Sequence, residues 1–352
     1  MRPFPRWVGA IIVLLSASFG GTVDPAAINS ARALYEKGRF GEAQSAFEKL
    51  FASAPKDPEV NFHLGELALH RNEPEKAVAF FASAIAAAPN VSRFHHRLGD
   101  AYGRSAQKAS VFSAFGLARK CLASYRRAVE LDPANIDARY SLFVFYRNAP
   151  GIIGGGSDKA ATEADAIKKL DPDRGRVAWA ALYVSQEQYD HALATLAEFR
   201  PLDLATVQGD SVYLSDVAWT DGKVGWGQPA RNHTWFDEKS HPGVVLIVHG
   251  RLYGKGLYAH SPSRYAFALD GKWKVFTATV GLRDGAHPQG SAIFTVRGDG
   301  RELFRSAMLR VDASKTVNVD VAGVKELELL TEGGEGHNHN SWAIWAEPRL
   351  RR

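Results

Sequence analysis

The sequence predicts a chain in two parts, an α-helical solenoid followed by a β-sandwich. In the first part, small and aromatic residues recur with a period near 34, which marks stacked helix pairs. From Ser211 onward, short alternating apolar runs are separated by turns bearing Gly and Asp, as in an all-β sandwich. A chain of 352 residues is long enough for two such domains, and 45% hydrophobic residues argues against disorder.

The charge balance excludes some partners. The net charge is +5, with 25 basic and 23 acidic residues over 1–210 and 18 and 15 over 211–352. Neither half carries a concentrated basic stripe, so nucleic-acid binding lacks its electrostatic footprint. The single cysteine, Cys121, cannot form a disulfide within the chain and sits at a small-residue position of a helical pattern.

Residues 1–21 read as a secretory signal peptide. Arg2 and Arg6 precede an apolar core from Trp7 to Phe19, followed by small residues and Gly20-Gly21. That core of 13 residues is short of the roughly 20 needed to span a bilayer. The expectation is export to the periplasm or the exterior, with membrane attachment only if the segment stays uncleaved.

The helical part is expected over 24–200. Its cleanest unit, Pro58 to Val91, contains Leu64-Gly65, Ala68, Ala77, Phe81, Ala84 and Pro89. These spacings match the tetratricopeptide pattern of two antiparallel helices, in which small residues allow close approach and the proline stops the second helix. Asp24 to Asp57 keeps Leu34, Ala43, Phe47 and Pro55. A third unit keeps Leu98-Gly99, Tyr102, Tyr125, Ala128 and Pro133, with about ten extra residues around Ala106 to Phe115. A fourth keeps Leu142, Tyr146 and Pro172, and a fifth runs from Trp179 to Phe199. Stacked units leave an extended concave surface, read as a groove for a protein partner or as a plain spacer. Arg93, His95, His96 and Arg97 cluster on one helix and fit either a partner surface or a solvated face. The loop Pro150 to Gly156 lacks the Gly-Lys-Ser/Thr ending of a phosphate loop and reads as a turn, with Ser157 or Asp158 capping the next helix.

Residues 201–210 read as a linker, and 211–352 as the sandwich. Strands are expected at 244–248, 264–269, 274–280, 292–297, 315–321 and 325–331, with Asp299-Gly300 and Asp270-Gly271 as turns. This count and spacing fit a jelly-roll β-sandwich.

Several motifs follow in a specific order. They are Ser215-Asp216-Val217-Ala218-Trp219, Gly225-Trp226-Gly227, Gly254-Lys255-Gly256-Leu257 with His260-Ser261-Pro262-Ser263, and Phe276 to Gly281. Gly290-Ser291, Phe294 to Gly300, Asp320 to Gly323 and Trp345-Ala346-Glu347-Pro348 complete the series, the last expected just ahead of the final strand. The segment resembles the carbohydrate-binding module (NPCBM) associated with glycoside hydrolase family 98. That resemblance implies sugar binding. In relatives, acidic residues and a His commonly precede the final Trp; Ser341-Trp342-Ala343-Ile344-Trp345 departs from this. A structural calcium, which needs several carboxylate and carbonyl oxygens, would have to draw on Asp284, Glu332 and Glu335.

A sugar presents C–H groups to an aromatic face and hydroxyls to planar polar groups. Trp226, Asn232, His260, His339, Asn340 and Trp342 offer that chemistry in expected loops, and His233, Trp235, His337 and Asn338 lie close in sequence. Trp219 and Trp345 read as core, whereas Trp226 and His260 fit either a site or an internal role. His337 and His339, two apart on an extended strand, would face one side and invite a transition metal if Glu332, Glu335 or His260 joined them. The chain contains no nucleophile elbow, zinc-protease helix or Walker loop. The expectation is a non-catalytic exported adaptor without cofactor. It would bind a glycan or polysaccharide through the sandwich and a protein through the repeats. The alternatives are an interaction scaffold that binds no sugar and a metal-dependent periplasmic hydrolase.

Overall fold

A computed structural model describes residues 23–36, 39–197, 201–235, 245–311, 313–334 and 341–352. The signal-peptide segment and His337, Asn338, His339 and Asn340 lie outside the described residues.

Among the described residues the first part is five antiparallel helix pairs. They are α1 (Pro25–Glu36) with α2 (Phe40–Ser53), α3 (Pro58–His70) with α4 (Pro74–Ala87), and α5 (Ser92–Lys108) with α6 (Val111–Leu131). Then come α7 (Ile136–Asn148) with α8 (Ser157–Leu170), and α9 (Pro172–Ser185) with α10 (Tyr189–Ala197). Helix starts follow local chemistry. Asp57 caps the Glu59 and Val60 amides ahead of α3, with Pro58 at the first helical position, and Asp171 with Pro172 repeats the device at α9. The Leu-Gly signature has a steric cause: a Cβ on Gly65 or Gly99 would stand 2.5 Å from the ring of Phe81 or Tyr125. The ten extra residues do not form a loop. They lengthen α5 to 17 and α6 to 21 residues, against 13 for α3 and 14 for α4.

The Gly-rich loop is a turn, as expected, but its cap differs. Gly156 is the N-cap of α8 and makes no side-chain cap bond, so neither Ser157 nor Asp158 has that role. Backbone crowding supplies the reason for glycine here, since a Cβ on Gly155 would stand 1.7 Å from the Ala149 carbonyl oxygen.

Among the described residues the second part contains fourteen strands: β1 (Ser211–Tyr213), β2 (Asp221–Lys223), β3 (Ala230–Arg231), β4 (Leu246–Val248), β5 (Arg251–Tyr253), β6 (Gly256–Tyr258) and β7 (Ser263–Ala268). They continue as β8 (Val275–Leu282), β9 (Ser291–Gly298), β10 (Arg301–Arg305), β11 (Leu309–Arg310), β12 (Ser314–Asp320), β13 (Glu326–Gly333) and β14 (Ala343–Arg351). One antiparallel sheet has the order β12-β8-β14-β6-β3, with β1 also on β14; the other has β10-β9-β13-β7-β2, with β11 on β9. Their inner faces share a core that includes Tyr265, Phe267, Trp273, Phe276, Phe294 and Trp345. Asp299-Gly300 turns β9 into β10 with both residues at positive φ, the twist that favours a two-residue hairpin.

Two readings are corrected. The Trp345 motif lies inside the last strand rather than ahead of it. Glu347 at φ 47° bulges β14 between Ala346 and Arg349, which accommodates Pro348 within the ladder. Residues 201–210 are not a free linker. Leu202 exchanges backbone hydrogen bonds with Asp216 and Ala218, each at 2.8 Å, and Leu204 is buried in the sandwich core.

The β4–β5 hairpin belongs to neither sheet and packs against the helical array, with β5 contacting α7. Tyr35 of α1 and Glu66 of α3 stand 3.2 and 3.8 Å from His249 at the hairpin turn. Leu252 is buried, and with Ile247 and Val245 it joins the core cluster that includes Tyr140, Phe143 and Ala181. Arg174 and Asp173 of α9 pair with Glu347 and Lys255, both at 3.0 Å. Arg97, read from sequence as part of a cluster on one helix, is instead only partly exposed. It grips Glu66 at 2.6 Å and Asp100 at 2.6 Å under the hairpin turn, and His96 bonds Ser141. Burial alone would raise the Glu66 carboxyl; the charge and hydrogen bonds of Arg97, with His249, outweigh it and hold that carboxyl far below its ordinary value. The concave face of the array is therefore filled by its own sandwich along this line.

Candidate carbohydrate-binding site

The period of two along a strand sorts the aromatic residues of the first sheet. Leu257, Ala259, Ala343 and Trp345 point into the core. Tyr258, His260, Trp342 and Ile344 alternate with them onto the opposite face, where Tyr258, His260 and Ile344 are themselves buried and Ile344 packs beneath the β4–β5 hairpin. The pairing Ile344↔Tyr258 sets His260 across from Trp342, with Ala259 N–H donating to the Ala343 carbonyl at 2.9 Å. On the other side, Ala343↔Leu282 sets Arg283 beside Trp342, and Arg283 N–H donates to the Trp342 carbonyl at 2.7 Å. Three adjacent strands thus place His260, Trp342 and Arg283 in one row.

Contacts within the row are close. The Trp342 ring lies 5.6 Å from His260, edge to face, and 6.3 Å from Tyr258. The Arg283 guanidinium stands 4.9 Å from the Trp342 ring centroid, a cation–π distance. Burial lowers the Arg283 pKa and also lowers that of His260, whose Nδ1 lies 3.0 Å from the Ser261 carbonyl oxygen. His260 is therefore neutral near pH 7 and fixed by its own loop.

Trp226 completes the cluster from the side. Tyr258 donates its hydroxyl to the Trp226 carbonyl at 3.2 Å, and Gly225 N–H donates to the His260 carbonyl at 2.9 Å. Both glycines of Gly-Trp-Gly have a steric reason. A Cβ on Gly225 would stand 2.3 Å from the Ser261 carbonyl oxygen, and Gly227, at φ 77°, lies under the Trp235 ring. The Trp226 indole remains 46% exposed, held edge-on by Trp235 at 6.0 Å. An exposed indole whose backbone is tied to Tyr258 and His260 offers a face that can cover the apolar side of a pyranose.

Of the six expected site residues, the structure gathers Trp226, His260 and Trp342; His339 and Asn340 lie outside the described residues. Asn232 is a correction. It is buried, donates to Asp216 Oδ1 at 3.1 Å and accepts from Gly256 N–H at 3.2 Å, so both ends of its amide are used inside the fold. Tyr258 and Arg283 were missed. The strand register against Trp342 is the signal that finds them, and it required the bounds of β14.

Of the candidate calcium ligands, Glu335 lies outside the described residues, and Asp284 and Glu332 have other partners. The Asp284 carboxylate accepts the His249 and Gly250 amides at 2.7 and 2.6 Å and caps the β4–β5 turn. Glu332 pairs with Arg305 at 2.9 Å. No group of three or more potential metal ligands occurs among the described residues. Burial pushes the Cys121 thiol up to about 12, away from nucleophile chemistry.

Comparison with known proteins defines the class. Residues 210–351 match the NPCBM/NEW2 domain, and residues 28–92 match the tetratricopeptide repeat. The chain thus joins a tetratricopeptide-repeat array to a carbohydrate-binding-module-like β-sandwich. Among curated proteins, one from Renibacterium salmoninarum, named as a candidate endo-α-N-acetylgalactosaminidase, is 30% identical over 140 residues. That match covers 39% of this chain and spans 9% of the relative's length. Among solved structures, the CBM51 of Clostridium perfringens GH95 in complex with methyl-galactose is 25% identical, with a TM-score of 0.36, covering 40% of this chain and 99% of that one. A tetratricopeptide protein of Thermus thermophilus is 23% identical with a TM-score of 0.42, covering 49% of this chain and 88% of that one. Both matched segments are of non-catalytic kinds.

Proposed function

We propose that this chain is an exported, non-catalytic adaptor, periplasmic or extracellular, that binds a glycan on the outer face of the β6–β14–β8 sheet. The observation that carries this reading is the row of His260, Trp342 and Arg283 with the exposed Trp226 at its side. Trp226 is the stacking platform. Arg283 supplies N–H donors to the sugar hydroxyl oxygens, and His260 holds Trp342 at its edge. Binding is weak and reversible, as a single indole platform implies. The repeat array engages a protein through surfaces other than the line occupied by the β4–β5 hairpin.

The test is a glycan-array screen of the full chain, with and without calcium, beside Trp226→Ala. Selective binding lost in Trp226→Ala upholds the reading. A scaffold without sugar affinity is the rival, and one observation favours it: Arg283 already lies over the Trp342 ring. A folded chain that retains no glycan decides for the rival.

A further inference from the structure

The lengthened third helix pair has no counterpart in the repeat pattern and carries its own chemistry. Its two helices exceed α3 and α4 by four and seven residues, so the junction of α5 and α6 projects roughly 6–10 Å past its neighbours at 1.5 Å per residue. At that tip Phe112 is 93% exposed and Val111 72%, with Phe115 exposed one turn further. Isolated apolar surface residues are ordinary; three together on a projecting helical tip are not.

The charge around the tip is one-sided. Between Asp100 and Glu130 there is no carboxylate, while Arg104, Lys108, Arg119, Lys120, Arg126 and Arg127 all fall in that interval. Lys108, Arg119 and Lys120 are exposed just behind the apolar residues. Lys108 donates to the Asn72 carbonyl at 2.6 Å, a neutral partner that leaves its positive charge in place.

We propose that the α5–α6 tip is an interfacial anchor that inserts Val111, Phe112 and Phe115 into an anionic lipid surface. An amphipathic element of this kind sits about 5–10 Å deep at the headgroup–acyl boundary, which matches the projection of the tip. Apolar residues at the end and cations one to two turns behind match the acyl and headgroup layers in order. Another protein surface would not require the flanking cations, and nucleic acid would not require the exposed phenylalanines. No helix among the described residues is long and apolar enough to cross a membrane.

The test uses the full chain with vesicles of phosphatidylcholine alone or with about a third phosphatidylglycerol. A nitroxide on Phe112→Cys reports local depth, because Cys121 is buried and unreactive. The expected result is an oxygen-accessible, acyl-level nitroxide on anionic vesicles only. Partitioning should fall about tenfold or more in Phe112→Asp/Phe115→Asp, which should keep the wild-type circular dichroism. High salt should weaken binding. A nitroxide that stays water-exposed on anionic vesicles overturns the proposal. So does dipolar broadening between labels without lipid, which would assign the tip to a second copy of the chain.

Discussion

The contact beneath the hairpin turn lends itself to a double-mutant cycle on Arg97 and Glu66. Arg97 donates from Nε and Nη2 to the two Glu66 oxygens at 2.6 and 3.1 Å and from Nη1 to Asp100 at 2.6 Å, all largely shielded from water. Removing one member of a buried pair leaves an uncompensated charge and costs about 3–5 kcal/mol, whereas replacing both with apolar groups is close to neutral. Arg97→Met leaves both Glu66 and Asp100 without their guanidinium; Glu66→Met leaves Arg97 its bond to Asp100. Arg97→Met should therefore be the more damaging, near the upper end of that range, and Glu66→Met near the lower. The double variant should lose far less than the sum, giving a coupling energy of about 2 kcal/mol or more. Urea unfolding at neutral pH measures all four corners, and hydrogen exchange of the 246–253 amides reports whether the hairpin leaves its seat. Additive single effects, with a double variant as unstable as their sum, would refute the account of a coupled buried pair.

Further outcomes follow from other groups. His63 is stacked on Phe47 at 4.8 Å, and burial lowers its pKa to about 4. The unfolded chain then takes up the proton first, so His63 stabilises the fold fully above about pH 6.5 and loses that contribution as pH falls toward 4. Between pH 7 and 5 the loss should be about 2 kcal/mol in unfolding experiments and should vanish in His63→Phe. Gly65→Ala puts a methyl 2.5 Å from the Phe81 ring and should cost about 1–3 kcal/mol by thermal unfolding. Asp284→Ala removes the acceptor for the His249 and Gly250 amides and should raise exchange at the hairpin turn, with little effect on glycan binding at Trp226. Trp226→Tyr should keep part of the sugar affinity that Trp226→Ala loses, measured by calorimetry, because a smaller aromatic face still covers the ring.

Much of the fold was legible because its rules are local. The Leu-Gly and Phe positions of the repeats are steric requirements between neighbouring helices, and Asp299-Gly300 announces its own turn. Boundaries failed where a local exception intervened: Pro348 argued against a strand, and the bulge at Glu347 accommodates it. The site was half legible. Trp226 is announced by its flanking glycines, and Trp342 by its place before an apolar strand. Arg283 and Tyr258 become neighbours of Trp342 only through pairings between strands distant in sequence, which no local window contains. Asn232 looked like a loop amide because nothing in its surroundings shows that Asp216 and Gly256 close over it. The sequence pattern also promised an open groove, because the hairpin that fills it lies more than 100 residues beyond most of the helices it touches.

The seating of that hairpin changes what kind of object the chain is in solution. A binding module on a loose tether searches a sphere, and its partner domain gains only an effective concentration set by tether length. With the β4–β5 hairpin seated on the array and residues 201–210 folded onto the sandwich, the described residues show the two parts docked together. Anything the sheet face grips is presented at one angle and one distance from the far end of the array. Fluorescence anisotropy decay should then show a single overall tumbling time, set by the long axis of the whole particle.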